Sequence, residues 1–303
     1  MEAHESKGSF SCRRGYDLAT VTLQPPGSEP PKALLVWHHG FSEHYGRHLA
    51  VLRELCVQGH LLVVSYDVHG HGRSGPHQEE LRAYIADYQH LVDDLLDLLD
   101  KVALPAAKEQ GVAPGAVFLG GHSMGGMTSL LALAQRPGAF AGVLASSPLV
   151  SVTPRQSWGE WAQIGVLRVL DALVPQRPFL QRKRVEEGVR CPQGVKDCYA
   201  DTLWYRGPIK LRTVVSCING TLALQQLAPR LTGPLYFQQG TMDRTCSVVA
   251  LRRLLPRLGS ADVTYHEVEG GFHDLSHDPD TPDCIRRMLR FIAEHSNGSK
   301  AAA

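Results

Sequence analysis

Apolar positions along this 303-residue chain fall into short unbroken runs separated by longer stretches with helical spacing. Residues 33–37, 61–65 and 116–119 have the pattern of strands buried on both faces. Residues 143–145 and 235–237 continue the series, and 263–268 reads as its last strand. Residues 18–23 alternate instead, predicting an early strand before a proline-rich turn (Pro25, Pro26, Pro30, Pro31). Residues 81–102 place Leu81, Tyr84, Ile85, Tyr88, Leu91, Val92, Leu95 and Leu99 on one face. Asp87, Asp94, Asp97 and Lys101 take the other, which predicts one amphipathic helix. Further helices are predicted over 127–135, 248–258 and 283–295. Strands alternating with helices imply an α/β fold with a mostly parallel central sheet covered on both sides.

The alternation breaks between about 151 and 230. That stretch has no clear strand, carries Trp158 and Trp161, and contains the basic cluster Arg182, Lys183 and Arg184. A helix over 156–174 would have one narrow polar stripe of Gln156, Glu160, Gln163 and Asp171. The expected organisation is a core of residues 1–150 and 231–303, with 151–230 inserted as a helical cap. Residues 296–303 are small and polar and are expected to be disordered.

Composition changes the picture little. A formal net charge of +1 lacks the basic excess of a nucleic-acid binder. The start of the chain is polar, and no run of about eighteen apolar residues occurs. The seven cysteines are odd in number and form no C-x-x-C pair, so free thiols and a cytoplasmic location are expected. The sequons at Asn219 and Asn297 are then expected to be unused.

Candidate chemistry enters with Gly121-His122-Ser123-Met124-Gly125, a G-x-S-x-G pattern between a strand run and a helix-forming run. That context is the sharp strand-to-helix turn that exposes a nucleophilic serine at the edge of a sheet. A serine needs a base, and the base needs an orienting acid. Asp243, after the run 235–237, and His273, after the strand 263–268, are best placed at the same sheet edge. His277 shares the His273 loop and is the rival base, while Asp197, Asp201, Asp280 and Asp283 read as solvated loop charges. An oxyanion requires two N–H donors, assigned by position to Met124 and to Phe41 in His38-His39-Gly40-Phe41. The pairs His69/His71 and His273/His277 have metal-ligand spacing but no convincing third ligand, so neither metal nor cofactor is expected.

The wider pattern resembles the monoacylglycerol lipase branch of the α/β-hydrolases. It comprises His39-Gly40-x-x-Glu43-His44-x-Gly46-Arg47, Asp67-x-x-Gly70-His71-Gly72-x-Ser74 and Gly121-His122-Ser123-Met124-Gly125-Gly126. It continues through Gly240-x-x-Asp243-Arg244-x-Cys246 and Glu269-Gly270-x-x-His273, with Asp201-x-Leu203 and Gly207 in the cap. The resemblance implies a triad of Ser123, Asp243 and His273, with Phe41 and Met124 as oxyanion donors. It also implies thiol sensitivity at Cys246, where the family's pattern has cysteine. Phe41 stands where family members often carry a small residue. The expected substrate is an acyl ester, lipid in kind, most simply a monoacylglycerol. Lysophospholipase and non-lipid carboxylesterase are the alternatives within enzymes, and an inactive hydrolase-fold binding protein is the alternative outside them. The basic cluster and the apolar face of 156–174 suggest peripheral membrane contact through the cap.

Overall fold

The computed structural model describes residues 2–152 and 157–296. Eight strands form one sheet in the order β1-β2-β4-β3-β5-β6-β9-β10. They are β1 (His4–Ser11), β2 (Asp17–Gln24), β3 (Ala33–His38), β4 (Leu61–Tyr66), β5 (Val117–His122), β6 (Gly142–Ser146), β9 (Leu235–Gly240) and β10 (Val263–Val268). The six from β4 to β10 run parallel, while β1 and β2 join antiparallel at one edge. Every residue of β3, β4, β5, β6 and β9 is buried, as their unbroken apolar runs require. This is the α/β-hydrolase fold.

The first strand has no counterpart among the predicted elements. His4–Ser11 is polar and almost wholly exposed, and backbone pairing to Asp17–Gln24 holds it as an edge strand. The long helix predicted over 81–102 begins instead at Tyr88, where Asp87 caps it by accepting from the Gln89 N–H at 2.9 Å. It runs as α2 (Tyr88–Leu98) into a π turn (Leu99–Ala103) and a further turn, α3 (Leu104–Glu109). Two acids of its polar face, Asp94 and Asp97, are buried, while Asp87 is exposed. Asp97 receives the Arg13 backbone N–H at 2.7 Å and its guanidinium at 2.6 Å. Asp94 is wholly buried, 2.7 Å from His69 Nδ1 and paired with Arg14. Burial opposes its charge, yet the bonds from His69 and Arg14 hold the carboxyl below its usual range. Helix periodicity shows which side of a helix is polar, but not that a distant turn supplies cations to bury it.

Between β6 and β9 the chain leaves the sheet. Helix α5 (Trp158–Leu173), a small hairpin of β7 (Pro178–Leu180) with β8 (Ile209–Lys210), and α6 (Pro192–Ala200) lead to α7 (Leu211–Leu227). The hairpin went unpredicted because its two strands hold only three and two residues. Helix α7 packs against α2 and against α4 (Met124–Gln135), tying the excursion to the core. In α5, Ile164 and Asp171 turn inward, and Asp171 accepts from Arg212 Nε at 2.8 Å. Asp171 is therefore not on an outer polar stripe; Gln156, its other predicted end, lies outside the described residues. The last helix, α9 (Thr281–Ser296), takes in the start of the expected tail, whose remainder lies outside them as well.

Asp94→Ala would leave a buried guanidinium and imidazole without their anion. It is expected to lower unfolding free energy by about 3–5 kcal/mol, the usual cost of breaking a buried pair. Urea titration checks this, and a loss below about 1 kcal/mol, typical of an exposed pair, would contradict it.

Candidate active site

Residue 123 follows directly on β5, and its backbone is forced into φ 54°, ψ −116°, a left-handed conformation rare for a residue with a side chain. Three neighbouring glycines make the turn possible. A Cβ at Gly121 would drive into the Gly125 backbone, and one at Gly125 into the carbonyl of His38 at the end of β3. A Cβ at Gly126 would come within 2.9 Å of Pro148. Ser123 is held from both sides, its N–H donating to the Ser146 carbonyl at 2.9 Å and its carbonyl accepting from Leu149 at 2.9 Å.

Asp243 follows β9 and His273 follows β10, so both reach the sheet edge that carries Ser123. His273 Nδ1 lies 2.8 Å from Asp243 Oδ2. Asp243 also accepts from Gln239 Nε2 at 2.6 Å and from the N–H groups of Thr245 and Cys246 at 2.7 and 2.9 Å. Burial disfavours its charge, but the His273 ring and these donors outweigh that and hold the carboxyl below its usual range. His277, the rival base, is bonded instead to Asp274 at 2.9 Å and does not line the cavity described below.

Ser123, Met124, Phe41, Cys246 and His273 line one cavity of about 320 Å³. Most of its wall is apolar, with Leu149, Val152, Leu180, Val185, Val189, Ile209 and Val214 among its residues. The excursion from the sheet supplies much of the wall. Trp204 is its tryptophan there; Trp158 and Trp161 point to solvent, Trp158 being 86% exposed. Arg182, Lys183 and Arg184 also line the cavity. Cys246 Sγ sits 3.8 Å from Ser123 Oγ. Burial, aided by the nearby Asp243 charge, pushes its thiol well above the usual range, so it is a neutral thiol at neutral pH.

A buried polar network behind this surface escaped the sequence reading. Glu43 accepts from the Gly40 N–H at 3.0 Å, from His48 Nε2 at 3.0 Å and from His122 Nδ1 at 3.2 Å. The other nitrogen of His122 lies 3.3 Å from the His273 carbonyl oxygen, and the two rings pack 4.7 Å apart. One carboxylate thus joins the loop after β3, the turn before Ser123 and the loop of His273. Burial works against a charged His122, but the Glu43 charge and hydrogen bond outweigh it and raise its pKa to about 9. Arg47 bonds Asp274 at 3.2 Å, and His44 bonds Asp201 at 2.8 Å, so Asp201 is no solvated loop charge. The G-x-S-x-G frame hid His122, because only its flanking positions carry a stated role.

Glu43, His48 and His122 offer donor atoms within 4.8 Å of one another, the one such group among the described residues. Its members already satisfy each other, and a protonated His122 has no lone pair to give a metal. His69 and His71 are likewise engaged, with Asp94 and with the His69 carbonyl.

The sequence pattern of the serine aminopeptidase, S33, family matches residues 29–280. The chain belongs to this family. A monoglyceride lipase of Rattus norvegicus is 32% identical over 271 residues, covering 89% of this chain and 83% of that one. A monoacylglycerol lipase of Mycolicibacterium smegmatis is 29% identical over 292 residues, covering 96% and 97%. Among solved structures, a soluble variant of the Saccharomyces cerevisiae monoglyceride lipase superposes with a TM-score of 0.81 at 17% identity, covering 97% and 96% of the two chains. The chain is accordingly an α/β-hydrolase of the lipase and esterase kind.

Glu43 and His122 give this region a pH signature. His122 gains its partner on folding, so its contribution is full below about pH 6.5 and lost as pH rises toward 9. Glu43, pulled well below 4.5 in the fold, contributes above that pH. The melting-temperature gap between wild type and Glu43→Gln is therefore expected to be widest near pH 6 and to narrow by pH 9. A gap that widens toward pH 9 would contradict the assignment.

Proposed function

We propose that this chain hydrolyses a glycerolipid ester bearing a single acyl chain, monoacylglycerol being the parent case. Ser123 attacks the acyl carbonyl, and His273 takes its proton through Nε2. Asp243 orients the ring and stabilises the imidazolium. The N–H groups of Phe41 and Met124 receive the oxyanion, and water then releases the fatty acid from the acyl-enzyme. The observation that carries the reading is the His273–Asp243 bond of 2.8 Å together with a strained Ser123, Ser123 and His273 both lining one apolar cavity. An apolar wall favours a long acyl chain, each buried methylene contributing about 0.8 kcal/mol. The names of the monoglyceride lipases it resembles support the same substrate class. The excursion over 151–230 acts as the cap, and alkylation of Cys246 through the cavity would obstruct the acyl site.

The test pairs mutants with an acyl-chain series. Ser123→Ala should abolish turnover and fluorophosphonate labelling while leaving the melting temperature intact. His273→Ala and Asp243→Asn should each lower kcat by about 10⁴-fold, as in other serine triads. Wild type should prefer long-chain to acetyl esters of glycerol. Preference for the acetyl ester would point to a non-lipid carboxylesterase, and full activity in Ser123→Ala would remove the nucleophile.

Helix α5 supports peripheral contact with a bilayer. Trp158, Val166, Val169 and Leu173 repeat at helical spacing on its outer face, with Leu173 73% exposed. Among the described residues no helix is long and apolar enough to cross a membrane. Replacing Val169 and Leu173 together by serine is expected to reduce co-sedimentation with anionic liposomes severalfold. Absence of wild-type binding would eliminate this contact.

A further inference from the structure

The cavity that holds Ser123 has an imbalance of charge. Arg47 on its wall is neutralised by Asp274 at 3.2 Å and by Asp201 at 3.9 Å. Glu43 also lines the cavity but is bonded to His122 and His48, so it acts on Arg182 only at longer range and leaves it without an ion-pair partner. One N–H group of Arg182 donates to the Tyr205 carbonyl at 2.9 Å, and its guanidinium lies 5.0 Å from the Trp204 ring centre and 5.7 Å from that of Phe41. Among the described residues no carboxylate lies within 4 Å of it. Partial burial removes some of its water and, against the opposing Glu43 charge, pulls its pKa down to about 10, low for a guanidinium but still leaving it charged at neutral pH.

Removing a guanidinium from water without an anion is costly, and two aromatic faces and one carbonyl offset only part of that. The next two residues add to the excess. Lys183 and Arg184 line the same cavity. The Lys183 ammonium donates to the Arg244 carbonyl, and Arg184 meets Glu186 only at 3.7 Å on the exposed side. A neutral glycerol head group gives these cations nothing to pair with. A guanidinium presents five donors in a planar fork suited to phosphate or carboxylate oxygens, and three successive cations suit a group with more than one negative charge.

We propose that the ester cleaved here carries a phosphate on its glycerol half, and that Arg182 binds it while the acyl chain lies along the apolar wall. This rests on the hydrolase reading of Ser123 and narrows its substrate to a singly acylated, phosphate-bearing glycerolipid. Phe41 carries a proposed oxyanion donor on its backbone and its ring lies 5.7 Å from the Arg182 guanidinium, so the ester carbonyl and the anion would occupy neighbouring parts of one cavity. Hydrolysis yields the fatty acid and a glycerol phosphate, with water supplying the oxygen and the protons.

The contrasting role for Arg182 is a strut that only holds Trp204 and Tyr205 in place. The two separate when 1-oleoylglycerol 3-phosphate and 1-oleoylglycerol are compared as monomers with wild type and Arg182→Gln. Wild type should favour the phosphate ester by about tenfold or more in kcat/KM, the scale of one charge-assisted pair. Arg182→Gln should bring that ratio close to one, chiefly by raising KM for the phosphate ester. Wild-type preference for the neutral ester overturns the proposal, as does an equal loss on both esters in Arg182→Gln, the result a strut gives. If that variant does not fold, the wild-type preference decides alone. If neither ester is cleaved, the hydrolase reading fails separately, and binding of the two lipids to Ser123→Ala decides. Tighter binding of the phosphate ester supports the anion site, and equal binding overturns it.

Discussion

The start of α4 lies so close to the end of β3 that a side chain at residue 125 would collide with the His38 carbonyl. That contact fixes where the chain must turn after β5, and hence the left-handed backbone of Ser123. It also sets the distance from the elbow to the loop of Gly40 and Phe41. With the serine and that loop fixed, the sheet does the rest. Parallel strands β9 and β10 deliver Asp243 and His273 to the same edge, where four donors hold the acid.

Glu43 stabilises this arrangement from behind. Its carboxylate bonds the Gly40 N–H and His122, and His122 in turn reaches the His273 carbonyl. Such a network is favourable only when every member is satisfied, because a buried charge without its partner is costly. Its cation, His122, also stands one residue from Ser123, where the proposed acyl transfer would develop negative charge. Protein electrostatics and backbone strain thus converge on one turn.

The central strands and the elbow were legible because each rests on a local rule: an unbroken apolar run, or glycines flanking a serine between strand and helix. Asp243 and His273 were legible from their positions after strands. What stayed hidden depends on partners distant in sequence. The polar edge strand His4–Ser11 is held by pairing, and Asp94 becomes a buried anion because Arg14 lies 80 residues away. Trp158 and Trp161 mark the inserted stretch in the sequence, yet both are exposed, and the tryptophan on the cavity wall is Trp204. Tryptophan content alone cannot tell an inner from an outer face. The basic triplet at 182–184, expected from sequence to aid a membrane contact, lines the cavity, which a run of cations alone does not reveal.

The excursion between β6 and β9 has a small apolar cluster of its own, built from Val185, Val189 and Cys198 with Val195 and Trp204 against it. The proposed nucleophile, acid and base sit on core loops, whereas much of the cavity wall belongs to this semi-independent unit. Mutational drift in residues 180–217 can therefore change what is accepted while leaving the elbow and its acid–base pair untouched. A lineage built this way can alter its choice of ester by remodelling one segment at a time.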